Sequence, residues 1–570
     1  MQLEPILEEF SDDEIDLLED EAYQASDSEV EFVMEASDEE DEVSEEESEQ
    51  LCNPVNYQKY HGKDGTVWMA NPYGRSRTKA CNIIKGKLDR IVLPPGKSLD
   101  SIYCAFKMFI DNNVCEQILK YTNKEAVTMY GESRKWKAIC MDELHAFFGL
   151  LITAGHMKSN AQNYRLFWDN LYGITIFKAT MGVQRFMEIL RFIRFDDKDT
   201  RSNRRKTDKL APIRSIWKMV NHNFGKYYMP GENIVVDEQL MPCRSRCSFI
   251  QYMPSKPDKY GIKIWWLCDS KTSYPLGGIP YTGKVGKTRA VGLGQEIVEK
   301  LCAPYFGTNR NVTMDNYFTS KELAESLLSN GLTLVGTLRK NKACIPPEFQ
   351  SNKNRETRTT IFGFQNNITI ASHVSKPGKA VIFLSTMHHS DEMTKKNDKV
   401  MSEINKYYDL TKGGVDTFDQ LIHEYMIKRK TNRWPLAFFM NMLDAAGIAG
   451  YVLWIKTCPF WNQDKSNRRN LFLRELGESL VQPYIIRRQS NKNVHRSSQN
   501  AMKSYVAALT NESSSTATCT SNEKVRQRKR CYLCPYKKSK MQKQCCDICQ
   551  KNVCNEHSTT TKNCSLCKDK

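Results

Sequence analysis

Between about residues 97 and 200, apolar residues recur at steps of three and four, the spacing of a buried helical face. Residues 98–110, 136–157 and 184–195 each carry that pattern, so the segment reads as all-helical. The apolar run 144–154 is too short for a bilayer and predicts a buried core helix. From residue 233 the period shortens, and 234–236, 262–267 and 274–281 read as three successive strands. A helix over 291–301 follows, then a strand reaching Asp315, a helix over 320–328 closed by Asn330 and Gly331, and a strand over 332–338. The predicted order is β-β-β-α-β-α-β.

Residues 342–402 are polar, with short apolar or alternating runs at 359–362, 368–370 and 380–384. So long a connection calls for structure of its own, and a small β-rich subdomain is expected. Helical spacing returns across 412–425. A strongly apolar helix over 436–454 comes next, and further helical stretches run to about 504. Residues 507–522, rich in Ser, Thr and Asn, read as a linker.

Charge changes the picture at both ends. The chain of 570 residues carries a formal +15, yet residues 1–50 hold 23 acidic residues and no Lys or Arg. The remainder therefore has 82 basic against 44 acidic residues, an excess that favours a polyanionic partner, with nucleic acid foremost. The acidic start, with the weakly periodic segment to about 96, predicts disorder. Ser11, Ser28, Ser37, Ser44 and Ser48 precede acidic residues, as in substrates of acidophilic kinases and equally in plain solubilising tails. The start lacks a secretory pattern and no run of 18 apolar residues appears, so an intracellular protein with no membrane association is expected.

Four aspartates carry the candidate chemistry. Asp237 ends the run Ile-Val-Val, Asp315 ends Val-Thr-Met, and Asp416 and Asp419 lie three apart in Gly413-Gly-Val-Asp-Thr-Phe-Asp419. Any one of them alone reads as a cap or turn residue. Together, two at strand ends and two on one helical face, they read as an oxygen-ligand site for Mg²⁺. Two ions there would suit phosphodiester cleavage by in-line displacement. Strand order and acid placement meet the requirements of a ribonuclease-H-like DDE nuclease core.

Eight of the twenty cysteines fall in the last 42 residues. The pairs Cys531/Cys534, Cys546/Cys549, Cys554/His557 and Cys564/Cys567 supply eight ligands, enough for two closed zinc sites. A cross-brace assigns Cys531, Cys534, Cys554 and His557 to one ion and Cys546, Cys549, Cys564 and Cys567 to the other, leaving Cys545 over. RING and PHD modules share this ligand pattern, so zinc alone does not fix the partner. The basic cluster at 524–530 reads as a nuclear localisation signal or a phosphate contact, and Arg201, Arg204, Arg205, Lys206, Lys209 and Arg214 as a solvated loop or a phosphate contact.

From about residue 97 onward the chain resembles the piggyBac transposases. The resemblance rests on Val236-Asp-Glu-Gln-Leu240, Tyr260-Gly-Ile-Lys263, Thr313-Met-Asp-Asn-Tyr-Phe-Thr-Ser320, Val335-Gly-Thr-Leu-Arg339, Thr411-Lys-Gly-Gly-Val-Asp-Thr-Phe-Asp-Gln420, Arg429-Lys-Thr-Asn-Arg-Trp-Pro435 and the cysteine tail. It implies a multidomain α/β protein. After the acidic region read from composition as disordered (1–96), its parts would be a helical DNA-binding and dimerisation domain (97–232 and 426–506), a ribonuclease-H-like core (233–341 and 403–425), an insertion (342–402), a linker (507–528) and a zinc domain (529–570).

The resemblance further implies a catalytic triad of Asp237, Asp315 and Asp416, with Asp419 as an added acid binding Mg²⁺ or Mn²⁺. It implies DNA contacts from Arg339, Lys342, Lys428, Arg429, Lys430, Arg433 and Trp434. The activity implied is cut-and-paste transposition by a nuclear homodimer, with hairpin ends, transposon-end DNA and TTAA targets. A domesticated descendant that binds DNA without cleaving it is the alternative, and presence of all four acids favours the active enzyme.

Overall fold

Helix α1 (Ile102–Lys107) is capped by Ser101, whose hydroxyl accepts from the Cys104 N–H at 3.1 Å, and α2 (Asn112–Tyr130) by Asp111, which accepts from Val114 at 3.0 Å. Then come α3 (Met141–His156), α4 (Thr175–Thr180), α5 (Val183–Phe192), α6 (Lys198–Arg205) and α7 (Arg214–Lys226). The structure is a computed structural model describing residues 58–73, 79–86, 88–96, 98–131, 136–283, 292–350, 355–396, 399–491, 494–513, 529–535, 541–542 and 552–557. Two units emerge, Met1–Met502 and Lys503–Lys570.

In the first unit the helical layer is completed late in the chain by α12 (Trp434–Thr457) and α13 (Arg468–Gln489). Helix α3 is buried on nearly every side because α13 crosses it closely. A Cβ at Gly149 would lie 2.7 Å from Val481 Cγ1, and one at Gly477 would lie 2.6 Å from Thr153 Oγ1. Among the described residues, α12 is the one helix long and apolar enough to cross a membrane, but 94% of its apolar window is buried inside the fold. Its apolarity on all faces is that of a core helix.

The strands are β1 (Lys59–His61), β2 (Val67–Met69), β3 (Arg90–Ile91), β4 (Tyr228–Met229), β5 (Asn233–Pro242), β6 (Gln251–Tyr252), β7 (Tyr260–Asp269), β8 (Pro275–Pro280), β9 (Asn311–Met314), β10 (Thr333–Leu338), β11 (Thr360–Gln365), β12 (Ile368–Lys376) and β13 (Lys379–Ser385). One mixed sheet runs β1-β2-β11-β12-β13-β10-β9-β5-β7-β6, with β8 also paired to β7. Strands β5, β9 and β10 are mutually parallel, and β7 is antiparallel to β5. Helix α8 (Leu293–Cys302) lies between β8 and β9 in sequence, and α9 (Lys321–Ser329), capped by Ser320, joins β9 to β10. Helices α10 (Glu403–Thr411) and α11 (Gly414–Glu424) follow the last strands.

Two expectations change. The segment 342–402 is β-rich but not a self-contained subdomain, because β13 pairs with β10 from Val335↔Ser385 to Leu338↔Ile382 and extends the central sheet. The extension covers an edge that would otherwise be open, and Val335, Ala371, Phe383 and Ile404 share one buried cluster across the junction. Residues 58–96, expected to be disordered, contain β1–β3. Trp68 is 0% exposed and its indole N–H donates to the Cys344 carbonyl at 2.8 Å. Three-residue strands carry too little periodicity to be seen in sequence; their stability comes from the distant partners they cover. The acidic tract 1–50, with its serines, lies outside the described residues.

Candidate active site and metal centres

Asp237 sits in the middle of β5 rather than at its end, directly opposite Trp266. The parallel register Val236↔Met314 makes Asp237 and Asp315 the next residues on neighbouring strands, so the two acids emerge side by side. Asp315 is fixed by its surroundings: the Tyr317 N–H donates to its Oδ1 at 2.9 Å and the Thr319 hydroxyl to its carbonyl at 2.8 Å. Gly413 caps α11, placing Asp416 in the first turn of the helix lying over β5. A side chain at Gly414 would lie 3.1 Å from Val235 Cγ2 and 3.1 Å from the Asp269 carbonyl, so glycine sets that close approach.

Burial, then Glu238, Asp315 and Asp416, push the Asp237 carboxyl up to about 8. Burial and Glu238 also raise Asp315, while Lys263 and Arg339 draw it back. Lys263 stands 3.4 Å from Glu238 Oε2 and 4.6 Å above the Tyr317 ring, which Arg339 also faces at 5.6 Å. The donor set around Asp237 is all oxygen, and burial together with the negative neighbours disfavours its charged form. A divalent cation would reverse that balance, so the residues fit a hard-cation site.

Asp419, one turn after Asp416, is held differently. Its Oδ1 accepts from Gln239 Nε2 at 2.8 Å, and His423 Nδ1 lies 3.4 Å from the same oxygen. Hydrogen bonding to Asp419, against burial and helped by Asp258, lifts His423 to about 9.

In the second unit, Cys531, Cys534, Cys554 and His557 bring their ligand atoms within 4.8 Å of one another. The Cys534–Cys554 sulfurs are 3.7 Å apart, and His557 Nδ1 lies 3.8, 3.4 and 3.2 Å from Cys531, Cys534 and Cys554. Tetrahedral zinc with ordinary Zn–S and Zn–N bonds has ligand–ligand edges of about 3.6–3.8 Å, so this set fits zinc. Burial alone would raise the Cys531 thiol, but the N–H groups of Cys554, Leu533 and Cys534, with His557, bring it down to about 6. Cys546, Cys549, Cys564 and Cys567 lie outside the described residues.

A family profile described as Transposase IS4 matches residues 103–451. The cryo-EM structure of a piggyBac transposase synaptic complex with hairpin DNA aligns at a TM-score of 0.68 and 31% identity, covering 84% of this chain and 100% of that one. This chain belongs to the piggyBac transposase family. Two human relatives, PiggyBac transposable element-derived proteins 3 and 2, are 25% and 23% identical over 362 and 365 residues. The match spans 59% of the length of each, so it leaves about two-fifths of those relatives unmatched.

Family motifs do not all become surface contacts. Arg429 is 7% exposed; it donates to the Gln162 carbonyl and, at 3.2 Å, to Ser159 Oγ, and stacks 4.0 Å from the Tyr164 ring. Arg433 donates to the carbonyls of Leu190 (2.9 Å), Arg191 (3.1 Å) and Ile193 (2.6 Å), closing the end of α5. Trp434 is buried edge-on against Phe249. Arg429 and Trp434 are buried and Arg433 is half-buried, and the two guanidiniums brace the helical layer through these bonds. Arg339 and Lys430 are exposed, Lys342 and Lys428 half-buried. Sequence reasoning missed Gln239, a fully buried amide two residues after Asp237; its polarity gave it the look of a solvent-facing position.

Proposed function

We propose that this chain is a metal-dependent DNA transposase that excises an element through hairpin ends and integrates it at TTAA sites. The carrying observation is the register that sets Asp237 beside Asp315 beneath the first turn of α11, where Asp416 adds to the same negative field. The strand order β8-β7-β5-β9-β10, with its central parallel trio, supports a ribonuclease-H-like core. Asp237, Asp315 and Asp416, with Asp419 beside them, would hold Mg²⁺ or Mn²⁺, which supplies charge for the attacking and leaving oxygens of an in-line displacement.

The chain's own residues position the DNA. Arg339, exposed beside Asp315, offers a guanidinium for phosphate, and Lys342, Lys428 and Lys430 are further cationic candidates. Each step exchanges one P–O bond for another. Water opens the strand and leaves a 3′-hydroxyl; that hydroxyl, losing its proton, attacks the opposite strand and displaces its oxygen to close the hairpin. We place the enzyme in the nucleus as a homodimer, with a second zinc held by Cys546, Cys549, Cys564 and Cys567 and an acidic tail open to acidophilic kinases.

The test is Mg²⁺-dependent cleavage of DNA carrying the flanking terminal repeats. Hairpin products from the native chain, lost in Asp237→Ala and Asp315→Ala, support the reading; binding without nicks in the native chain overturns it. That second outcome belongs to a domesticated DNA-binding protein, a reading favoured by the description of the human relatives as transposable element-derived.

A further inference from the structure

Beneath the acidic site lies a buried polar network that connects strand, catalytic helix and helical layer. Gln239 is 0% exposed on β5 and projects from the same strand face as Asp237, two residues away. Its Oε1 accepts from the Trp266 indole N–H at 2.9 Å and from Asn441 Nδ2 at 3.2 Å. Its Nε2 donates to Asp419 Oδ1 at 2.8 Å and reaches Asn441 Oδ1 at 3.4 Å.

The direction of these bonds is enforced. An indole N–H can only donate, so the amide oxygen of Gln239 must face Trp266. Trp266 is itself immobilised: it is 0% exposed, with its ring edge-on to Phe418 of α11 at 5.1 Å and to Trp217 at 5.6 Å. The amide nitrogen is therefore turned toward α11, where it meets Asp419. With Oδ1 engaged by Gln239, the carboxylate has Oδ2 as its less encumbered oxygen.

We propose that Gln239 is a positioning residue for the acidic site: oriented by Trp266 and Asn441, it fixes the Asp419 carboxylate so that one chosen oxygen serves the metal. This rests on the reading of the four acids as a metal site. A ligand held by a buried donor loses less rotamer freedom on binding, and outer partners of this kind are worth about 10–100-fold in metal affinity.

The experiment measures Mn²⁺ binding to the full chain without DNA, by electron paramagnetic resonance, together with thermal unfolding. Gln239→Met keeps the volume and removes the donor. A loss of Mn²⁺ affinity of about tenfold or more, absent when the same change is made on an Asp419→Asn background, supports the proposal. Affinity within about twofold of the native chain, or an equal loss on both backgrounds, overturns it. If Gln239→Met does not fold, Trp266→Phe keeps an aromatic ring but removes the N–H and frees the amide to flip, and is read by the same comparison. Asp237→Ala separates the two levels: if it leaves Mn²⁺ binding intact the metal-site reading itself fails, whereas if it abolishes binding and Gln239→Met does not weaken it, only the positioning role fails.

Discussion

Replacing Asp237 with Asn should stabilise the metal-free protein while destroying its chemistry. Burial and the charges of Glu238, Asp315 and Asp416 raise this carboxyl from 3.8 to about 8, and its Oδ1 accepts the Glu238 N–H at 2.8 Å, a bond an Asn oxygen can keep. A carboxyl raised on folding contributes fully below its unfolded pKa, and that contribution is lost as pH climbs toward the folded value. The native chain should therefore weaken between about pH 4 and pH 8. That rise corresponds to at most ~6 kcal/mol, and the side chain's partial contact with water reduces this to ~2–3 kcal/mol. For a unit of this size that is about 2–3 °C in Tm. The assay is thermal unfolding in EDTA at pH 6, 7 and 8. Asp237→Asn should exceed the native chain at pH 8 by that margin, with the gap narrowing to roughly half at pH 6. Added Mn²⁺ should raise the native Tm alone, reversing the order. A variant no more stable than native at pH 8, or a gap independent of pH, would show that the acids do not repel one another as described.

Gly414→Ala should move α11 away from β5 by a few tenths of an ångström, because its Cβ meets Val235 and the Asp269 carbonyl at 3.1 Å. Cleavage should fall by up to about tenfold with little change in DNA affinity, read by single-turnover kinetics and gel shift. Arg433→Ala frees three carbonyls at the end of α5 and should cost ~2–3 kcal/mol in urea unfolding. Lys430→Ala, at an exposed position, should leave stability unchanged and reduce the salt slope of DNA binding by about 1. Cys531→Ser should abolish zinc binding by the set Cys531, Cys534, Cys554 and His557, measured as metal per chain, and raise the rate of limited proteolysis around these residues.

What the sequence made visible was local. The apolar runs before Asp237 and Asp315, and the Ser320 cap with its following helix, depend on neighbours within a few residues, and each element lies where its pattern puts it, although β5 runs on past Asp237. Pairing is not local. The runs of β11–β13 read as strands, but nothing in them announces that β13 would pair with β10 and merge the insertion into the central sheet. The end of β5 was hidden by Gln239: a polar residue after the acid looks like the strand turning to solvent, when its amide is satisfied by Trp266, Asn441 and Asp419 from three other elements. The same ambiguity governs Arg429, Arg433 and Trp434. A guanidinium suited to phosphate is equally suited to backbone carbonyls, and only the positions of Gln162 and of the end of α5 decide between them. Arg429 and Trp434 are buried and Arg433 is half-buried, while Lys430 of the same segment is exposed. The family motif there thus combines residues that brace the helical layer with a lysine left in solvent.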